Sequence, residues 1–166
     1  MNSEILCEEV HPDSWERVRD LRLASLRESP EMIGGNFDQE SSFSEDQWRE
    51  MFKKNAYFVA VLDGEDLGIL AIENLARGSG DFGATCWIGG TWVHPRVRGR
   101  GIMQRLFESI DNHSKERGWL VQGLGVFVDN HQAIALYEKL GFIAMGDVQE
   151  STRKPGRYYQ RMIRTI

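Results

Sequence analysis

The sequence predicts a mixed α/β fold, a β-sheet flanked by helices in the order β-α-α-β-β-β-α-β-α-β-β. Three observations lead there. Short apolar runs bounded by turn residues recur at 56–64, 67–75 and 85–93, as strands do. Met103, Leu106, Phe107 and Ile110 repeat at i, i+3, i+4 and i+7, the spacing of one helix face. Residues 93–128 read as strand, loop, helix and strand, a β-loop-α-β crossover.

In chain order, ILCEEV (5–10) is a first strand. Asp13 is placed to cap the helix through SWERVRDLRLASLRES, which Pro30 stops. PEMIGGNFDQESSF is turn-rich and reads as a mobile loop. Ser44 and Gln47 form a capping box, with Phe43 and Trp48 as its hydrophobic staple. The helix they start buries Trp48, Met51 and Phe52. Strands at 56–64 and 67–75 are joined through Gly64-Glu65-Asp66. RGSGDFG (77–83) is a loop, and TCWIGGTWV (85–93) returns to the sheet. Gly89 and Gly90 inside that strand mark a bulge or a close backbone approach. The helix from Gly101 ends at Gly118, and LVQGLGVFV (120–128) is a strand. Asp129 or Asn130 caps a shorter helix carrying Ala133, Leu136, Tyr137 and Leu140 on one face. Gly141 terminates it, and FIAMGDV and RYYQRMIRTI close the chain as two strands.

The chain has 166 residues, 41% apolar and 27% charged, with a net charge of −5. That length suits a single domain over 1–166, able to bury about 70% of its unfolded surface. No run approaches the ~18 apolar residues of a membrane-spanning helix. MNSEILCEEV lacks the basic start and apolar run of an export signal. Cys7 and Cys86 form no metal or CxxC spacing, which suits a reduced cytoplasm. The acidic balance argues against nucleic acid as the main partner, and no membrane partner is expected without such a spanning apolar run.

Against that balance stands VHPRVRGRGIMQRLF, with Arg96, Arg98, Arg100 and Arg105 in ten residues and no acid before Glu108. A strand passing through a glycine turn into a helix offers unpaired N–H groups and a positive helix end to phosphate oxygens. Gly99 and Gly101 allow the backbone such a nest needs. Arg96, Arg98 and Arg100 add guanidinium groups that match phosphate. The Walker pattern fails because Ile102 and Met103 follow Gly101, and the dinucleotide fingerprint fails at Gln104. A solvated loop paired to nearby carboxylates is the plainer alternative.

The segment resembles the pyrophosphate loop of the GNAT superfamily, the acetyl-CoA-dependent N-acetyltransferases, with signature Q/R-x-x-G-x-G/A. Two registers are open. Arg98-x-x-Gly101-x-Met103 keeps the distances to Leu106 and Phe107 and departs at its last position. Arg96-x-x-Gly99-x-Gly101 matches throughout. The first is preferred. NHQAIALYEKLGF (130–142) resembles the family's N-x-x-A-x-x-x-Y-x-x-x-G-F segment at every fixed position. The resemblance spans roughly 85–145.

It implies a strongly twisted sheet, the GNAT-like acyl-CoA N-acyltransferase fold, with acetyl-CoA as cosubstrate. It places the diphosphate on Arg98, Gly99, Arg100, Gly101, Ile102 and Met103. Pantetheine would pair with the backbone of Thr91, Trp92 and Val93 beside a bulge at Gly89-Gly90, and Asn130 would contact the cofactor or serve only as a cap. Tyr137 becomes the general acid for the departing thiolate, its phenol protonated below a pKa of about 10. Its alternative is a place among four residues on a buried helix face.

The glutamate that many relatives use as base has no counterpart: CWIGGTWV lacks an acid, and Gly125 stands where it often sits. Glu73, Asp81, Asp129, His94 and His131 are substitutes, and a base-free transfer through water is equally consistent. Direct attack in a ternary complex is expected over a Cys86 acyl-enzyme, since nothing marks Cys86 as activated. Seven acids within 28–50 against Arg49 alone would draw a cationic small molecule or peptide amine, or serve equally as a solubilising acidic face. Phe37, Phe43, Trp48 and Tyr158 are candidate pocket aromatics. A non-catalytic acyl-CoA binder or sensor, and a nucleotide-binding loop, are the competing readings. Many relatives form homodimers, and RYYQRMIRTI offers a strand for it.

Overall fold

The structure, a computed structural model, describes residues 4–75 and 80–166, so residues 77–79 of the expected 77–83 loop lie outside the described residues. The strands are β1 (Ile5–Glu9), β2 (Asn55–Leu62), β3 (Glu65–Asn74), β4 (Cys86–Val93), β5 (Val121–Phe127), β6 (Ile143–Glu150) and β7 (Tyr158–Thr165). The helices are α1 (Trp15–Glu28), α2 (Phe37–Ser41), α3 (Glu45–Glu50), α4 (Ile102–Arg117) and α5 (His131–Lys139). The seven strands form one mixed sheet in the order β1-β2-β3-β4-β5-β7-β6. Every adjacent pair is antiparallel except β4 and β5.

Several local expectations hold. Ser44 Oγ accepts the Gln47 N–H, and Gln47 Oε1 accepts the Ser44 N–H, closing the capping box. Phe43 meets the buried Trp48 edge-on at 5.4 Å, completing the staple. Other expectations change. Pro12 opens a tight turn over Pro12–Ser14, and His11 Nδ1 accepts the Asp13 N–H. Helix α1 therefore starts one residue later than an Asp13 cap implies, and the Asp13 carboxylate goes to Arg49 at 3.0 Å. The 30–43 stretch contains α2, capped by Asn36 Oδ1 on the Gln39 N–H. The β2–β3 turn is Asp63-Gly64, both at positive φ, and Glu65 and Asp66 already belong to the strand. This is the two-residue hairpin that an Asp-Gly pair favours.

Helices cover both sheet faces. Ile102, Leu106, Phe107 and Ile110 of α4 join Cys86, Ile88, Leu124 and Tyr137 in one apolar cluster. Val18, Leu21 and Leu26 of α1 join Tyr57, Val59, Ile69 and Trp92 in the other. Each fully buried large apolar side chain contributes about 1.5–3 kcal/mol. Strand β7 is hydrogen-bonded on both edges, by β5 and by β6. Pairing of RYYQRMIRTI with a second copy is therefore closed, and the free sheet edges are β1 and β6.

A polar knot ties α4, β5 and β7 together. Arg164 Nη2 donates to Asp111 Oδ1 and to Gln122 Oε1, both at 2.6 Å. Gln122 Nε2 donates to Asp111, Ser114 and the Trp119 carbonyl. The Arg164 guanidinium lies over the Phe107 and Phe142 rings. Removing one partner of a buried pair leaves an uncompensated charge, so Asp111→Ala should lose about 3 kcal/mol of stability in urea unfolding. A loss below about 1 kcal/mol would mean that Arg164 finds water instead.

Candidate functional site

The site begins where β4 and β5 part. The parallel pair runs only from Cys86–Ile88 against Gln122–Leu124. Beyond Ile88, β4 bulges against β3: Ala71 faces Gly89 and Ile69 faces Trp92, so Gly90 and Thr91 share the place opposite Leu70. Gly90 sits at φ +58°, left-handed backbone that side-chain-bearing residues adopt at a cost of roughly 1–2 kcal/mol. The extra residue turns β4 away from β5. Between the splayed strands opens a cleft of about 1150 Å³, walled by Gly89–Val93 on one side and Leu124–Phe127 on the other.

The loop after β4 forms one end of the cleft. The Val97 side chain is buried and anchors it, and His94 Nδ1 accepts the Arg96 N–H. Gly99 and Gly101 have φ of 78° and 77°, with no protein atom within 4 Å of where a Cβ would stand. Their Cα atoms face open space. The first helical bond of α4 is Arg105 N–H to Gly101 O, so the N–H groups of Ile102, Met103 and Gln104 precede it. The Ile102 side chain is buried in the core and Met103 packs beside it, leaving the backbone at the cleft.

The arginines divide. Arg98 lines the cleft, donating from Nε to the Val93 carbonyl at 3.0 Å and pairing through Nη2 with Glu28 Oε1. The same Glu28 oxygen accepts from Trp92 Nε1 at 3.0 Å and from Ser29 Oγ. Burial raises the Glu28 pKa, but the bonds from Ser29, Trp92 and Arg98 outweigh it and hold the carboxyl below its ordinary value. Arg96 pairs with Glu65 away from the cleft. Arg100 is exposed, lies off the lining, and has no hydrogen bond or ion pair among the described residues. Of the three arginines of the expected basic rim, Arg96, Arg98 and Arg100, only Arg98 reaches the cleft, and it is already held by a carboxylate.

Across the cleft, Asn130 Oδ1 accepts the Ala133 N–H and caps α5, and Asn130 also lines the cleft. Two turns on, the Tyr137 ring is buried edge-on to Phe107 and Phe142, both at 5.9 Å. Its hydroxyl meets Thr91 Oγ1 at 2.8 Å, so the β4 bulge and α5 touch through this bond. Burial raises the phenol pKa and the Thr91 bond lowers it, with a net rise. The phenol is protonated at neutral pH. The Thr91 side chain was missed by the sequence reading, which used only its backbone; its partner lies 46 residues away.

The substitute bases scatter. Glu73 faces Lys54 at 3.5 Å and Asp81 pairs with Arg161 at 3.0 Å, both off the lining. Asp129 lines the cleft but is paired with Arg157 at 2.8 Å. His131 lines it, whereas His94 stacks edge-on with Trp92 outside it. At Gly125 a Cβ would stand 3.1 Å from the Tyr159 ring, and at Gly123 only 2.5 Å from Trp87. Aromatic rings occupy the space above β5. Burial pushes the Cys86 thiol up to about 12, far from an activated nucleophile. The acids of 28–50 do not gather: Glu40 is buried against Arg22 at 2.7 Å, and Asp129 is the one acidic residue on the lining. Phe37, Phe43, Trp48 and Tyr158 lie off the lining, and Trp87, Phe127 and Tyr159 take that place.

Solved acetyltransferases share this arrangement of strands. A GNAT-family acetyltransferase from Streptococcus pneumoniae superposes with a TM-score of 0.78 at 18% identity, over 98% of this chain and 99% of that one. The yncA protein of Salmonella typhimurium, solved with its cofactor acetyl-CoA, gives 0.73 at 17% identity over 99% and 94%. At such identities the likeness speaks for the fold. The uncharacterized N-acetyltransferase MJ1207 of Methanocaldococcus jannaschii is 29% identical over 96 residues, 58% of this chain and 42% of that protein. The chain belongs to the acetyltransferase (GNAT) family, whose family model matches residues 15–142. Acetyl-CoA is the acyl donor of that family.

Replacing Gly90 by valine forces a branched side chain into left-handed backbone, and should cost about 1–2 kcal/mol in thermal or urea unfolding. Unchanged stability would show that the bulge does not depend on glycine.

Proposed function

We propose that this chain is an N-acetyltransferase that moves the acetyl group of acetyl-CoA to a primary amine by direct attack in a ternary complex. The acceptor is a small molecule or a peptide, and residues 1–166 act as one catalytic domain. The observation that carries the reading is the junction of the β4–β5 gap with the Thr91–Tyr137 pair. The unbonded N–H groups at the start of α4 and the open faces of Gly99 and Gly101 suit a diphosphate. Arg98 would hold it, Met103 and Ile102 through their N–H groups, with Arg100 adding long-range charge. Backbone of Thr91, Trp92 and Val93, without a strand partner on the β5 side, would hold the pantetheine arm.

Acetyl-CoA supplies an activated acyl group, a thioester. The β4 backbone N–H groups would polarise its carbonyl. As the new C–N bond forms and the C–S bond breaks, the Tyr137 hydroxyl gives its proton to the departing thiolate. Thr91 orients that hydroxyl at 2.8 Å. With rings above Gly123 and Gly125, the amine proton leaves through water. A cytoplasmic setting accords with Cys7 and Cys86, which are both free thiols. No helix among the described residues is long and apolar enough to cross a membrane.

A non-catalytic acyl-CoA binder is the second reading, favoured by the aromatic filling at Gly125. Tyr137→Phe separates the two. A general acid contributes about 10²–10⁴-fold, so kcat should fall about 100-fold while acetyl-CoA affinity stays within about twofold. No transfer to any amine, with intact binding, would favour the sensor. The raised phenol pKa also gives the sign of the pH profile. The acid works protonated, so kcat should fall only as pH climbs above about 10.

Calorimetric titration tests the cofactor. Arg98→Ala should weaken acetyl-CoA about tenfold or more, the value of a charge-assisted bond. Glu28→Gln, which frees Arg98 of its competing carboxylate, should strengthen it. Saturating ligand at a hundred times Kd should add about 2.7 kcal/mol of stability. Absence of binding in all three proteins would sink the acyl-CoA reading.

A further inference from the structure

Trp87, Gly123 and Gly125 share one face of the sheet, opposite the Cys86 and Ile88 side chains that pack with α4. On that face the cleft continues into a chamber lined by Arg22, Met32, Trp87, Gly125, Arg153 and Tyr159. The turn between β6 and β7 roofs it: Lys154 Nζ donates to the Pro30 carbonyl, and Arg157 reaches both Met32 Sδ and Asp129.

The charges here are unusual for a site meant to receive an ammonium ion. Arg22 spends Nε and Nη2 on Glu40 and the Gly34 carbonyl. Its Nη1 makes no hydrogen bond among the described residues and stands 3.7 Å from where a Gly90 Cβ would be, beside the bulge. Arg153 lies along Gly34, where a Cβ would be 3.5 Å from its Cδ, and has no hydrogen bond or ion pair among the described residues. Asp129, the one acid on the lining, is already paired with Arg157. The chamber therefore holds unspent guanidinium donors and no spare carboxylate.

We propose that the acceptor is a small amine that also carries a carboxylate, of the size and kind of an α-amino acid with an apolar side chain. This rests on the N-acetyltransferase reading above. Arg153 and Arg22 Nη1 hold the carboxylate, since guanidinium groups match its two oxygens. Met32, Trp87 and Tyr159 hold the side chain. The amine then sits toward Gly90, where β4 and β5 part. The acidic surface of 28–50 plays no part in this recognition.

The test compares L-methionine and L-phenylalanine with their amides and with 2-phenylethylamine, following release of the CoA thiol. The acids should be turned over with kcat/KM about tenfold or more above the amides, the scale of one charge-assisted contact. Arg153→Ala should raise KM for the acids about tenfold, leave kcat nearly unchanged, and leave the amides unaffected. Arg153→Lys should recover part of the loss. Titration of the CoA-saturated protein with each compound should show the same order without any turnover. Amides or 2-phenylethylamine used as well as the acids, or equal effects of Arg153→Ala on both sets, would overturn the carboxylate site and leave the transferase standing. Acetyl-CoA binding without binding or acetylation of any acid would overturn it too. Failure of acetyl-CoA itself to bind would remove the transferase reading beneath it.

Discussion

Everything at this site depends on the parting of two parallel strands. Strands β4 and β5 share three residue pairs and then separate. An open gap in a sheet ordinarily leaves backbone donors and acceptors without partners, at a cost comparable to lost hydrogen bonds. The bulge at Gly90 makes the gap geometrically possible, because the extra residue of β4 is absorbed against β3 and not against β5. The knot of Arg164, Asp111 and Gln122 holds the closed end, since Gln122 is the residue paired with Cys86. The closed end is tied by this knot, and the open end leaves β4 backbone groups without a β5 partner.

The second organising element is Glu28 at the end of α1. One carboxylate oxygen gathers Ser29, Trp92 and Arg98. It thereby couples the helix on one sheet face, the strand that bulges and the loop after that strand. A carboxylate at the end of α1 thus restrains the one arginine of the loop after β4 that reaches the cleft. Arg98 is held in place at the cleft instead of sweeping through solvent, so less side-chain entropy remains to be lost on binding. The cost is competition, because under the proposed acyl-CoA reading a phosphate would have to displace Glu28 or share the guanidinium with it.

Legibility varied with the range of the interactions. The capping box at Ser44 and Gln47 and the Asn130 cap are set by residues three apart, and both were readable from spacing. The α4 face was readable for the same reason. Asp13 misled because proline at 12 changes the backbone before the helix, leaving its carboxylate to Arg49, 36 residues away. The Asp63-Gly64 turn was shifted by one residue because Asp63 itself adopts positive φ. The acidic run 28–50 misled more seriously. Composition counts charges, but Glu28 and Glu40 are spent on arginines from elsewhere in the fold.

The sequence by itself determined the seven strands and the helices other than α2, including the strand-loop-helix unit carrying Gly99 and Gly101 and the helix that bears Tyr137. These follow from periodicity, turn chemistry and caps, all decided within a few residues. Only the tertiary structure decided what those elements face. It brought Thr91 to Tyr137, gave Arg98 to Glu28, and laid Trp87 and Tyr159 over the glycines of β5. It also set Arg22 and Arg153 on the lining of the cleft. Such pairings join residues tens of positions apart, and side-chain packing across the sheet selects them where no local pattern can.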